Sequence, residues 1–444
     1  MSYSLSAEAA PRAASAAGDQ AMFRKVAWRI IPFLFLCYVV SFLDRINIGF
    51  AQLQMKHDLG FSDAMYGLGA AVFYIGYVVC EVPSNLLLAR FGARRTFTRI
   101  MLLWGLASIG MMFVSKPAHF YVLRFMLGVF EAGFFPGIVL YLSYWFPANR
   151  RAAVMAVFFA GVAVAGVLGG LMSGWIMRDM GGVLGLYGWQ WMFVIEGLPA
   201  VVLAFFALFR LVDRPRDARW LEPAEQDRIE ALCAADQPNG AGGAHKERSF
   251  GAALVNPRVY LFAFIYFSLT CASLTLNFWM PLMIRDFGIK DVLSVSLYTV
   301  VPNAIGAIGL LLIARRSDRT GERRKHFATC TIGGGLALAA LTLHLSSFAA
   351  MLAILSVASI LIFAALPIFW AIPSSYLSGE AAASGIALIS SLGITSGIVS
   401  PWVIGQIRTS TGSMDLAIYL LAGLLLASGI ALMAGIRPGA HKPG

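Results

Sequence analysis

Twelve stretches of this 444-residue chain are apolar over roughly the length of a membrane crossing, at 26–52, 63–89, 97–115, 119–146, 152–177, 190–211, 254–284, 292–314, 327–346, 349–373, 382–407 and 414–436. A helix rising 1.5 Å per residue crosses a bilayer core in about 20 residues, so each stretch is predicted to be a transmembrane helix. With 59% hydrophobic and 13% charged side chains, the chain is too apolar for a soluble globular protein. The expected class is an all-α polytopic membrane protein with twelve transmembrane helices in two six-helix halves.

The formal charge of +11 raises the possibility of nucleic acid or anionic lipid as a partner, and its distribution decides the matter. If both termini are cytosolic, the tails, inner helix ends and loops on that side hold 26 Lys and Arg against 13 Asp and Glu, whereas the opposite side holds 6 and 6. A basic excess on one side only is the positive-inside pattern. It implies a multi-pass inner (plasma) membrane protein with both ends in the cytosol and no nucleic-acid role.

The long polar stretch divides the chain. Residues 1–25 lack a signal-peptide core and read as a retained, disordered cytosolic tail; 26–211 form a first six-helix bundle and 251–437 a second; 438–444 form a cytosolic C-terminal tail. The linker at 212–250 opens with LEPAEQDRIEALCAA, where Pro223 marks the start of a short amphipathic helix, and continues through the Gly/Pro-containing QPNGAGGAH. A basic, glycine-containing turn recurs at matching places, RFGARR (90–95) after run two and RSDRTGERRKH (316–326) after run eight. Arg94, Asp318 and Arg319 in these turns are candidates for locking helix ends on the cytosolic side. The second copy carries Asp318 where the first has Ala89.

Charges inside the spans point to function, because a charge at bilayer depth costs about 3 kcal/mol on insertion scales and so faces a bundle interior or a water-filled path. In RFMLGVFEAGFFPG, Arg124 and Glu131 are seven residues apart and return to one helix face. Asp44 and Arg45 sit side by side in run one. From the 1.5 Å rise, Asp44 and Arg124 lie roughly 12 and 8 Å from the outer helix ends and Glu131 about 18 Å in, which sets two carboxylates at two depths of one cavity. Such a pair suits proton coupling, with substrate anion and proton exchanging beside Arg45 or Arg124. A structural ion pair is the alternative for either arginine. Arginine also fits a carboxylate through its planar fork, and no lysine lies within a span. Tyr74, Tyr77 and Glu81 share a face of run two, with Tyr77 and Tyr74 as candidate site-lining residues and Glu81 as a gate or helix lock. Asn277 and Trp279 before Pro281, and Trp370 between Pro367 and Pro373, mark interrupted helices of the second half as candidate site or gate.

These features together resemble the major facilitator superfamily: twelve spans in two halves, the RxxxG of Arg124 and Gly128, the DRxGxRR turn from Asp318 to Arg324, and the glycine-rich AGVAVAGVLGG of helix five. Within it, FLDRINIGFA (42–51), EVPSNLLLARFGARR (81–95), RFMLGVFEAGFFPGIVLYLSYWFP (124–147) and GWQWMFVIEGLPA (188–200) are similar to the anion:cation symporter family and its bacterial tartrate, phthalate and sugar-acid carriers. The resemblance implies that Arg45 and Arg124 hold the substrate carboxylate and that Asp44 and Glu131 carry protons. Helix eleven departs from that family, with Ser390 and Ile394 where asparagine is common.

No phosphate-binding glycine loop, metal-ligand cluster or nucleophile with a neighbouring base is present; the five cysteines show no ligand spacing, and the six histidines lie in loops or at span ends. No enzyme activity, metal or cofactor is expected. The reading is a proton-coupled symporter, working as a monomer, that imports a small organic carboxylate by alternating access. A sodium-coupled or sugar-acid carrier and an organic-anion exporter are the alternatives within transport, and a membrane sensor or enzyme lies further off. Sparse polar groups on helices five and eleven favour a tartrate-, phthalate- or hydroxyphenylacetate-like acid over a six-carbon sugar acid, since each unmatched polar group costs roughly 1–3 kcal/mol.

Overall fold

The computed structural model describes residues 4–235, 254–376 and 381–436, and the regular structure among them is helical throughout. In chain order the helices are α1 (Ser4–Asp58), α2 (Asp63–Phe91), α3 (Ala93–Gly110), α4 (Pro117–Glu131), α5 (Phe134–Trp145), α6 (Ala148–Asp179), α7 (Gly188–Arg210), α8 (Pro223–Ala235), α9 (Pro257–Asp286), α10 (Val292–Thr320), α11 (Arg323–Leu341), α12 (Phe348–Trp370), α13 (Pro373–Tyr376), α14 (Ala381–Ile394), α15 (Ser396–Thr411) and α16 (Asp415–Gly435). Eleven spans among the described residues qualify by length and apolarity, counting α4 with α5 and α14 with α15 as single crossings. The twelfth crossing is α11, whose first residues Arg323, Arg324 and Lys325 dilute its apolar character.

Three features differ from the sequence expectation. In place of a disordered stretch up to residue 25, α1 already begins at Ser4, and its early turns dock on α8: Lys25 Nζ donates to Glu225 at 2.8 Å and Arg228 donates to Asp19 at 2.9 Å. The Lys25 bond holds the Glu225 carboxyl below its ordinary range. The apolar run at 119–146 is two helices, broken at Ala132 (ψ 133°) and Gly133 (φ 82°). Pro281, by contrast, stays inside an unbroken α9. The QPNGAGGAH part of the linker and the 438–444 tail lie outside the described residues.

Within the first half α3 lies along α7, α2 along α4, and α1 along α6 and α7; within the second, α10 lies along α12, α11 between α12 and α16, and α9 beside α14 and α16. The halves meet along α2 and α15, α6 and α10, and α1 and α9. Glycine lets these pairs touch, as is common where helices associate in lipid. A Cβ on Gly67 would lie 2.3 Å from the Pro401 carbonyl oxygen, one on Gly405 2.5 Å from that of Asp63, and one on Gly174 2.4 Å from the Ser296 Cβ.

All three approaches lie toward one end of the bundle, the end carrying loops 59–62, 287–291 and 412–414, here called the loop end. Buried Arg408 bridges the halves there, with Nε 3.1 Å from Asp63 and Nη2 2.6 Å from Asp286. Asp63 also accepts from Lys56 at 2.7 Å and Gln52 at 3.2 Å, and Arg285 donates to the Leu53 carbonyl at 2.9 Å. The crevice between the halves is closed at this end.

At the opposite end, the tail end, the two basic turns differ. In the second, Asp318 lies 3.8 Å from Arg323, which donates to the Ala371 carbonyl at 3.2 Å; Arg324 donates to that of Met433; and Arg319 is exposed in the last turn of α10. The first copy, with Ala89 in place of an acid, takes a carboxylate from further along the chain. Asp213, just after α7, accepts from the Arg94 backbone N–H at 2.8 Å and fills the space where a Cβ on Gly92 would stand. Arg94 thus contributes a helix-start N–H to this turn.

Candidate functional site

The site grows from the contact of α2 with α4. A Cβ on Gly128 would lie 1.9 Å from the Phe73 carbonyl oxygen and one on Gly76 2.5 Å from that of Phe125, so the two backbones touch and only glycine fits. That approach sets the Phe73 ring between two guanidiniums, Arg124 at 4.8 Å and Arg45 at 5.8 Å from its centre. Arg45 also lies over Tyr77 at 4.9 Å. Aromatic faces stabilise cations and leave their N–H groups free for other partners.

Glu131 ends α4. Its Oε1 accepts from Arg45 Nε at 2.8 Å and from Ser41 Oγ at 2.6 Å, and the residue is buried. Gly133, two residues on, is required twice over: its backbone is left-handed, and a Cβ there would lie 2.5 Å from the Ser84 side chain. The break therefore places a carboxylate at the end of a half-helix in the middle of the bundle.

Arg124 is 1% exposed and has no carboxylate partner among the described residues. Its Nε makes a long 3.3 Å bond to the Gly69 carbonyl, and its Nη2 has no hydrogen-bond partner. A buried guanidinium with an unused donor is costly unless an anion comes to it.

Of the residues expected to line one cavity, Arg45, Glu131 and Tyr77 come together, and Arg124 joins them across Phe73. Asp44 does not. One residue along a helix turns the side chain by 100°, and Asp44 points to α3, where Trp104 Nε1 donates to it at 2.6 Å and Ser108 Oγ at 2.9 Å; Asn47 of its own helix donates at 3.4 Å. Tyr74 fits against Gly397 of the second half, where a Cβ would lie 2.4 Å from its ring, and meets Phe278 edge-on at 6.5 Å. Asn277 donates to the Ser273 carbonyl of its own helix at 2.8 Å. Trp370 packs on Tyr266 at 4.8 Å between ring centres, at the end of α12. Glu81, one turn beyond Tyr77, is half-buried.

Sequence reasoning overlooked Ser41, Phe73 and Tyr66. Ser41 stands four residues before Arg45, on the same helix face, and that spacing was the available signal. Phe73 and Tyr66 look like ordinary packing aromatics, and only the approach of α4 singles them out. The buried Asp63–Arg408 pair was also overlooked, because its members are 345 residues apart.

Residues 34–401 match the Major Facilitator Superfamily. The chain is 44% identical over 423 residues to an Agrobacterium vitis protein named as a tartrate transporter, covering 95% of this chain and 96% of that one. It is 41% identical over 411 residues to the Pseudomonas putida metabolite transport protein NicT, covering 93% of each. Among solved structures it is similar to a D-xylose-proton symporter, with a TM-score of 0.72 and 15% identity over 91% of this chain and 97% of that one.

Proposed function

The chain belongs to the Major Facilitator Superfamily of membrane transporters, and from that premise we propose that it is a proton-coupled symporter importing a small organic carboxylate. The observation that carries this reading is the buried Arg124. It shares the Phe73 ring with Arg45, but where Arg45 is paired with Glu131, Arg124 makes no ion pair among the described residues and leaves Nη2 without a partner. A buried guanidinium with an unused donor calls for an anion, and its fork suits a carboxylate.

Coupling follows from the Arg45–Glu131 bond. An incoming carboxylate can take Glu131's place at Arg45 without leaving a second anion beside it only if Glu131 is neutral, so proton and substrate enter together. Loss of the proton restores the Glu131–Arg45 pair and expels the carboxylate. Ser41 steadies the ionised Glu131, and Tyr77 holds the Arg45 guanidinium against its ring. Asp44, with donors on both oxygens, is assigned the second proton position, behind the cavity against α3. Tyr74, Asn277 and Trp370 are assigned to the wall where the second half closes over the substrate.

With both termini cytosolic in an inner membrane, the closed loop end faces outward. The six-helix bodies at 26–211 and 251–437 then rock about the site, with 212–250 between them, while Glu81 and the turns carrying Arg94, Asp318 and Arg319 form the cytosolic gate. A single chain suffices for this cycle. The substrate class favoured is a tartrate-, phthalate- or hydroxyphenylacetate-like acid, in keeping with the name of the Agrobacterium relative.

Uptake of labelled carboxylates into proteoliposomes, with and without an imposed pH gradient, tests the reading. Accumulation of a short or aromatic carboxylate that collapses with a protonophore is expected. Accumulation that follows a sodium gradient instead would overturn the coupling, and better competition by galactonate or glucuronate would overturn the substrate class.

A further inference from the structure

Among the buried donors without a partner, three stand on α2, α4 and α9: the Tyr66 hydroxyl, the Arg124 Nη2 and the Trp279 indole N–H. Arg124 is 1% exposed, Tyr66 4% and Trp279 0%. Unpaired buried donors cost about 1–3 kcal/mol each, and two of these groups, guanidinium and indole, cannot act as acceptors for one another. They also belong together in space. The Tyr66 ring meets Trp279 edge-on at 5.3 Å, and Tyr66 stands one turn before Gly69, whose carbonyl takes the Arg124 Nε. Lone acceptors would be chance; three donors, one cationic, specify an anion with several lone pairs.

We propose that Arg124, Tyr66 and Trp279 form a first carboxylate site, open to the loop side, which captures the substrate before Arg45 receives it. The sidedness follows from the halves. Tyr66 is on α2 and Trp279 on α9, so the ring contact that covers two of the three donors is a contact between the halves. Parting the halves at the loop end separates those two rings and uncovers the donors. Arg45 meets the same Phe73 ring and is paired with Glu131, with its side chain 17% exposed although the loop end is closed. The two guanidiniums are thus available in different conformers, and the aromatic ring they share marks the way from one to the other. A carboxylate at the first site is held by three donors, none of which is hydrogen-bonded to an acid. At Arg45 it competes with Glu131, which favours release.

This inference rests on the reading of the chain as a carboxylate carrier, and sided kinetics separate the two. Tyr66→Phe removes only the hydroxyl and keeps the ring against Trp279, and Trp279→Phe removes only the N–H donor with part of the ring. In oriented proteoliposomes each is expected to raise the KM for carboxylate presented on the loop side about tenfold, the effect of one lost hydrogen bond to a charged group. The KM from the tail side stays within twofold of wild type, and because a substitution cannot alter the ratio of Vmax/KM on the two sides, any fall in Vmax/KM from the loop side appears equally in Vmax from the tail side. Unchanged KM on both sides, or an equal rise on both, overturns the first site while wild-type transport leaves the carrier reading standing. A wild-type protein that carries no carboxylate overturns both.

Discussion

The middle of the bundle and its loop end both bury arginine, and they differ in what the arginines are given. At the loop end every cation has an acceptor: Arg408 is held by Asp63 and Asp286, Lys56 by Asp63, and Arg285 by the Leu53 carbonyl. In the middle, Arg45 is paired with Glu131, whereas Arg124 makes no ion pair among the described residues and leaves Nη2 without a partner. A group whose cations are all held has nothing left to bind and serves to hold the halves together. One left with an unused cationic donor, kept from water, is unbalanced and has an opening for an anion. The contrast separates lock from site without reference to any relative.

The largest effect is expected where the imbalance is removed. Arg124→Ala should weaken carboxylate binding by about 2–5 kcal/mol, a loss of about thirtyfold or more, and Arg124→Lys should recover little because a point charge replaces a fork. Equilibrium binding to purified protein decides it, and near-normal affinity in Arg124→Ala would break the distinction between the two regions. Next comes Glu131→Gln, which leaves Arg45 without its acid and mimics the protonated state. It should abolish gradient-driven accumulation while retaining exchange of labelled for unlabelled substrate; continued accumulation would move the coupling proton to Asp44. The smallest effect belongs to the lock. Arg408→Ala leaves Asp63 and Asp286 facing each other without their shared cation and should shift the population toward opening at the loop end. Labelling of a cysteine placed at Ser296, now buried against Gly174, should accelerate about tenfold, consistent with roughly 1.4 kcal/mol, with binding affinity changed much less. Unchanged labelling would mean that the glycine contacts hold this end without the ion pair.

The spans were legible because length and apolarity are written locally, and α11 is among them although its three leading cations dilute its apolar character. The charged residues inside the spans could also be picked out, because a charge in an apolar run stands alone. Their directions could not. Asp44 and Arg45 are neighbours with the same argument for facing the cavity, and only the position of α3, supplying Trp104 and Ser108, shows which one turns away. The same holds for Asp213, whose part in the first basic turn depends on a return of the chain across α3 to α7 that no local pattern records.

The break between Glu131 and Phe134 has a mechanical consequence. A continuous rod passes any tilt along its whole length, whereas a rod cut in the middle does not. α4 is riveted to α2 through Gly128 and Phe73, while α5 is fastened toward the tail end, where Tyr141 donates to the Val212 carbonyl at 2.8 Å. The second half is cut at the corresponding crossing, between Trp370 and Pro373. The tail ends of both crossings are therefore free to swing while the spacing of Arg45, Arg124 and Glu131 stays fixed. Gate travel is decoupled from the grip on the substrate, so a loosened joint would alter how fast the protein turns over and leave how tightly it holds its cargo untouched.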